Sequence, residues 1–524
     1  MILGRKIVAA SAFILTLFGL TVCSIPAHSQ AATPQPAAVP RGTPLKPSAN
    51  AWHPMSIATI KASNAKKDDQ FGSAVAISAD GNTMAVASTQ ENSAAKGING
   101  NQSDVSAIGA GAVYVFVRNT TGWVQQAYVK SSNSKTKDQF GSSLALSNDG
   151  NTLAVGAAGE ASSAAGVDGD QKDASMPGAG AVYVFTRTGD KWAQQAYVKA
   201  SNTGEKAVGD QFGYSIALSG DGNTLATGAI GESSAAMGIN GNQADNSADG
   251  SGAVYVYARN GSTWSQQAYV KPWNTTVRGG LFGYSVALSG NGNTLAAGAY
   301  DEDRGRGAAY IFTRNGTTWM QQNRLTSINA EQGDSLGCSM AISEDGNTVV
   351  AGAFDEDSLL RGIQPPTEGS NDATSDVSTG AAYVFVHNGN AWSQQAFIKA
   401  TNTRLNDQFA WALTLSRDGN TLAVGAHLED SGSSALNGNQ EDSTAEDSGA
   451  VYVYARTGAA WAPVSYVKAP IPRSAAEFGI SLALSGDGKE LVVGAFKDSG
   501  GGIGINPPKT AKPAQESGAA YVYY

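Results

Sequence analysis

Asp210-Gln211-Phe212-Gly213-Tyr214-Ser215-Ile216-Ala217-Leu218-Ser219-Gly220-Asp221-Gly222-Asn223-Thr224-Leu225-Ala226-Thr227-Gly228-Ala229 decides the fold. Two runs alternate large and small side chains with period two, the signature of a β-strand. Asp221-Gly222 between them marks a tight hairpin. Both faces of each run are apolar, so both must be covered. A sheet whose large-residue face meets the small-residue face of a neighbour meets that demand.

The stretch recurs along the chain. Its aromatic returns at Phe71, Phe140, Phe282, Phe409 and Phe478, with Leu336 in the remaining register. The turn returns at Asp80, Asp149, Asn291, Asp345, Asp418 and Asp487. A third strand opens at Gly111, Gly180, Gly252, Gly307, Gly380, Gly449 and Gly518. A Trp-led fourth strand follows at Trp123, Trp192, Trp264, Trp319, Trp392 and Trp461. Seven units of four strands predict an all-β, seven-bladed β-propeller. The seventh unit stops at Tyr524 without its fourth strand, and Trp52 with Ile57-Ala58-Thr59-Ile60-Lys61 supplies one at the other end. The N-terminal strand is expected to complete the last blade and leave no open edge.

These units resemble FG-GAP repeats, the blades of the integrin α-subunit N-terminal propeller and of bacterial secreted proteins. Phe-Gly opening a strand, Val155-Gly156-Ala157, Val424-Gly425-Ala426, Val493-Gly494-Ala495 and Gly-x-Val-Tyr-Val-Phe carry the resemblance. It implies cell adhesion or recognition. The family's calcium loop, Asp-x-Asp-x-Asp-Gly, has shrunk here to turns such as Ser219-Gly220-Asp221-Gly222-Asn223-Thr224. One Asp in a tight hairpin reads as a turn former.

The chain has 524 residues, 63 of them Gly, and a net charge of −9, which argues against a nucleic-acid partner. Residues 1–31 read as a secretory signal peptide, with Arg5 and Lys6 before the apolar run Ile7 to Leu20. Cys23 ends a lipobox-like Leu20-Thr21-Val22-Cys23, the rival reading of a lipid anchor. Residues 32–50 are a Pro/Ala-rich linker, and 51–524 form the propeller. No transmembrane segment is read, so a secreted or cell-surface, monomeric protein is expected. Cys338 alone makes no intramolecular disulfide.

Short hairpins share one rim, so every long second-to-third-strand insert falls on the other, where binding loops are expected. These inserts are acidic. Asp355 and Asp357 in blade 5 and Glu429 and Asp430 in blade 6 are candidate contacts for an extracellular protein or glycan. Trp273 and Trp411 stand outside the repeat register. Each is a candidate to stack on a sugar ring or partner side chain, with core filling as the alternative. A sub-motif recurs at Asn99-Gly100-Asn101-Gln102 with Asp104, Asp168-Gly169-Asp170-Gln171 with Asp173, Asn240-Gly241-Asn242-Gln243 with Asp245, and Asn437-Gly438-Asn439-Gln440 with Asp442. Such oxygens suit calcium. Self-bonded Asx-turns explain the same residues without a metal. No catalytic motif is present. The expectation is a binding propeller rather than an enzyme, with a structural exoprotein or a glycan hydrolase as alternatives.

Overall fold

The computed structural model describes residues 52, 54–203, 209–275, 279–365, 377–434, 436–509 and 511–524. The signal-peptide, lipobox and linker readings lie outside these residues. Seven antiparallel sheets form the blades, each ordered from first strand to fourth. Blade 1 runs Phe71–Ile77, Thr83–Ser88, Ala112–Asn119 and Gly122–Val129, and blades 2 to 6 repeat this plan. In blade 7, Ser481–Leu484, Leu491–Ala495 and Ala519–Tyr523 are joined by Ile57–Lys61. The clasp registers Ala58 against Val522 and Ile60 against Ala520. Ring closure by the N-terminal strand is therefore observed. Among the described residues no helix is long and apolar enough to cross a membrane.

The large-on-small alternation works between blades. Phe140, Tyr183, Phe185 and Tyr197 of blade 2 pack on Ala85, Ala87, Val113 and Ala127 of blade 1. The seam is built the same way, with Phe71, Tyr114 and Phe116 against Ala58, Ile60, Ala520 and Val522. Phe140 meets Tyr183 edge-on at 5.4 Å between centroids, a favoured aromatic geometry. Glycine at the head of the third strand is a condition of this packing. A Cβ on Gly111, which sits at φ +79°, would lie 2.2 Å from the Phe140 carbonyl oxygen.

First strands are less regular than their alternation predicts. Pairing shifts between Phe212 and Ile216, because the Phe-Gly segment turns aside to meet the preceding blade, where Phe212 N–H donates to the Ala179 carbonyl and Phe212 bridges Gly180. Tryptophan and arginine then cross-link neighbours. Trp192 Nε1 donates to Gln126 Oε1 of blade 1 at 2.8 Å. The Arg187 guanidinium lies 5.3 Å over the Trp192 ring and bonds Asn151, Gln126 and Thr83. The recurring arginines, which read as surface strand-end residues, are inter-blade staples. Trp52, two residues further from its Lys than the five other tryptophans that have one, instead donates to Gly488 O within its own blade.

The rim of short turns is closed by a ring of backbone bonds. Ala79 N–H donates to Asn148, Asn148 to Gly220, Gly220 to Gly290 and Gly290 to Glu344. Glu344 donates to Arg417, Arg417 to Gly486, and Gly486 back to Ala79, all seven bonds between 2.8 and 3.1 Å. The turn acids are satisfied locally. Asp80 Oδ1 accepts from Ser78 Oγ and Asn82 N–H, and Oδ2 from Asn82 Nδ2. These bonds hold the Asp80 carboxyl below the usual range against the opposing effect of its partial burial.

Candidate functional site

The opposite rim carries six long inserts, which run from the second strand of each blade to the third; blade 4 crosses over through Asp301–Arg306 alone. Each insert starts on a buried carboxylate. Glu160 accepts Lys199 Nζ at 2.8 Å, Asn133 Nδ2 at 2.9 Å and Ser162 N–H at 3.1 Å, with neither charged group exposed. Glu91 with Lys130, Glu232 with Lys271, and Glu356 with Lys399 repeat the pair. Burial pushes the Lys199 ammonium below its ordinary range, opposed by the Glu160 charge. Blade 4 substitutes Glu302 with Arg324, and blade 7 Asp498 with Lys61.

Glu429 belongs to this series, which corrects its reading as a rim contact. It is fully buried and accepts Lys468 Nζ at 2.7 Å and Tyr466 Oη at 2.8 Å. Its base comes from the outer strand, 39 residues on, rather than from the insert. The acid recurs three residues after each second strand, and that recurrence was the sequence signal for a structural role. Of the other candidates, Asp355 accepts Ser335 Oγ and Ser378 Oγ, and Asp430 accepts Asp447 N–H. Asp357 is half-buried.

The repeated Asn-Gly-Asn-Gln-x-Asp segment folds back onto the outer strand. Val167 bridges Val198, Ile239 bridges Val270 and Leu436 bridges Val467. Asp168, Asn240 and Asn437 stand at positive φ and accept the N–H of Tyr197, Tyr269 and Tyr466 at 2.9 Å each. Asp170, Asn242 and Asn439 form Asx-turns onto Lys172, Ala244 and Glu441. Asp173 accepts Ser163 and Ser175 N–H, Asp245 accepts Ala235 and Ser247 N–H, and Asp442 accepts Thr444 N–H. Among the described residues no three acidic, imidazole or thiol groups converge to hold a metal ion. The side-chain oxygens of this segment serve as staples, accepting protein N–H groups. Asn506, which the sequence reading missed, plays the Asp168 part in blade 7, accepting Thr59 N–H.

The glutamine of each segment reaches the preceding blade. Thr401 Oγ1 donates to Gln440 and Ser63 Oγ to Gln102, both at 2.5 Å; Ser132 and Ser201 do the same for Gln171 and Gln243. Trp273 occupies this hydroxyl's register at the entry to blade 4, whose short crossover offers no glutamine. Its indole is 57% exposed against Gly238. Trp411 is instead half-buried among aromatic side chains. It packs on Phe354 at 5.0 Å and on His427 at 4.8 Å, and Tyr214, Tyr284 and Tyr300 continue the aromatic arc. Burial pushes His427 down to about 3, and its Nδ1 has no hydrogen-bond partner.

Comparison with known proteins agrees with this architecture. The FG-GAP repeat matches residues 123–185, 264–312, 319–385 and 392–454. No curated protein matches the sequence. Among solved structures, the β-propeller domain of Cps50 (Swd1) from Myceliophteria thermophila is 11% identical, with a TM-score of 0.48, covering 90% of this chain and 99% of that one. A candidate 6-phosphogluconolactonase from Bacteroides uniformis is also 11% identical, with a TM-score of 0.44, covering 79% and 97%. Neither likeness bears on what this chain does. The chain thus carries FG-GAP repeats, four of them matched, in a closed β-propeller of seven blades.

Proposed function

We propose that this propeller binds an extracellular protein or glycan through its insert rim and performs no chemistry on it. One observation carries the reading: the inserts are built as a collar. Each is anchored below by a buried ion pair and outward by pairing with the outer strand, and those of blades 1, 2, 3 and 6 also sideways by a glutamine to the preceding blade. Loops fixed in this way present side chains at low ordering cost, which is what recognition needs. The other rim is tied shut by turns. The histidines among the described residues support binding over turnover, since His427 is buried in the aromatic arc and His387 stacks beside Trp392 at 5.3 Å. The signal-peptide reading of residues 1–31 supports the extracellular setting.

The test replaces the blade 5 and blade 6 inserts with the short crossover of blade 4, keeping Glu356 and Glu429. Native envelope or extracellular material is then passed over the immobilised mature protein. The grafted variant should fold with an unchanged circular-dichroism spectrum and lose its saturable partner. Equal capture by both proteins would refute the rim as the binding face, and no saturable capture by the parent would leave a structural exoprotein.

A further inference from the structure

The rim reading leaves unused a groove of about 630 Å³ on the outer wall, between the fourth strands of blades 3 and 4. Asn240, Ser265, Gln266, Gln267, Thr317 and Thr318 line it, together with the edge of Trp319. None of its lining residues carries a formal charge, in a chain with 44 acidic and 35 basic residues. Gln267 Oε1 is taken by Trp319 and Arg314. Its amide nitrogen, and the hydroxyls of Ser265, Thr317 and Thr318, make no side-chain hydrogen bond among the described residues. The Trp273 indole lies against Gly238, the residue before the lining residue Ile239. Its backbone N–H is fixed by Gln321 Oε1 at 2.9 Å. Exposed Met237 and Met320 flank the same two blades.

The two junctions that involve blade 2 bring charge into this position. At the registers of Thr317 and Thr318, blade 2 carries Asp190 and Lys191, and Asp168 replaces Asn240 at the junction of blades 2 and 3. Trp273 stands where Ser132, Ser201 and Thr401 stand elsewhere. What sets this junction apart is the exposed Trp273 indole beside neutral donors and acceptors.

We propose that this groove is a second binding site, which takes an uncharged oligosaccharide stretch of a polysaccharide. Sugar rings offer an apolar C–H face for an indole and hydroxyls for amide and hydroxyl partners. No lining residue supplies a counter-ion for a charged polymer, Arg314 beside the groove being held by Gln267 and Thr224, and the net charge of −9 repels anionic chains. Peptides are the less suited class, because six of the nine lining residues bear hydroxyl or amide groups and no apolar pocket opens for a side-chain anchor.

Isothermal titration of the mature protein with cellohexaose, laminarihexaose and chitohexaose, and with polygalacturonate and an uncharged decapeptide pool as controls, tests this directly. At least one neutral hexasaccharide should bind saturably. Trp273→Ala should weaken it tenfold or more without moving the melting midpoint. Thr317→Asp with Thr318→Lys, the pair blade 2 already tolerates, should do the same. The blade 5 and blade 6 graft should bind as the parent does, so failure of the rim reading and failure of this one are separable. No binding of any neutral hexasaccharide, preference for the controls, or indifference to Trp273→Ala would overturn the assignment.

Discussion

Replacing Glu429 with alanine removes the acceptor for four donors at once: Lys468 Nζ at 2.7 Å, Tyr466 Oη at 2.8 Å, Ser431 N–H at 3.0 Å and Asn402 Nδ2 at 3.3 Å. Lys468 is left as an uncompensated charge with no solvent contact. Breaking a buried pair from one side costs about 3–5 kcal/mol. With an unfolding entropy of ~2.1 cal/mol/K per residue over roughly 470 residues, that is a fall of about 3–5 °C in melting midpoint. Glu441→Ala is the control, since that residue is 61% exposed and pairs only with Arg361 and Arg404 at the surface. It should cost less than about 1 kcal/mol. Glu429→Leu combined with Lys468→Met, which removes both charges, should recover much of the loss. Scanning calorimetry of the four proteins decides the matter. If Glu429→Ala melts with Glu441→Ala, or if the double variant melts below the single one, the buried pair does not hold the insert as argued.

Two further outcomes follow from the same rim. Burial pushes Asp69, Asp138 and Asp334 up to about 7 and Asp407 to about 8, against about 4 in an unfolded chain. The folded state therefore holds extra protons between about pH 4 and 8, and stability falls as pH rises through that window. His427, held down to about 3, acts in the opposite sense below about 6.5, but it is one group against four. The midpoint should be higher at pH 5 than at pH 8, and Asp407→Asn should flatten the slope; a higher midpoint at pH 8 contradicts the burial argument. Calcium added to EDTA-stripped protein should leave the midpoint unchanged, because the Asp173, Asp245 and Asp442 oxygens already accept protein N–H groups. A saturable rise would reveal a site that binds only the folded state.

The blades, their number and the clasp were legible because each rests on a local signal repeated down the chain. Alternation, Asp-Gly turns and a missing fourth strand need no knowledge of distant contacts. The inserts were legible in position but not in role. Glu429 reads as a rim acid until Lys468, on another strand, is brought beside it, and a pairing 39 residues apart carries no periodic mark within one blade. Trp411 and Trp273 show the same limit. Their departure from the register was visible, while the direction each indole takes depends on neighbours: Phe354 and His427 for one, an absent insert for the other. The outer groove lies between strands of two blades, so no single blade's sequence marks it.

The ring of seven backbone bonds on the turn rim has a consequence for how such a gene can change. Tandem repeats invite unequal recombination, which adds or removes whole units. Here every turn offers one donor forward and one acceptor backward, and all are spent when Gly486 returns to Ala79. A chain with an extra copy, or one too few, would bring the same turns around a circle of the wrong circumference. The clasp strand would still find its partner, since that pairing is blind to how many blades lie between. The inner ring is not blind to it. It acts as a length gauge that scores the repeat count itself, which selects against duplications that no single blade would register as a fault.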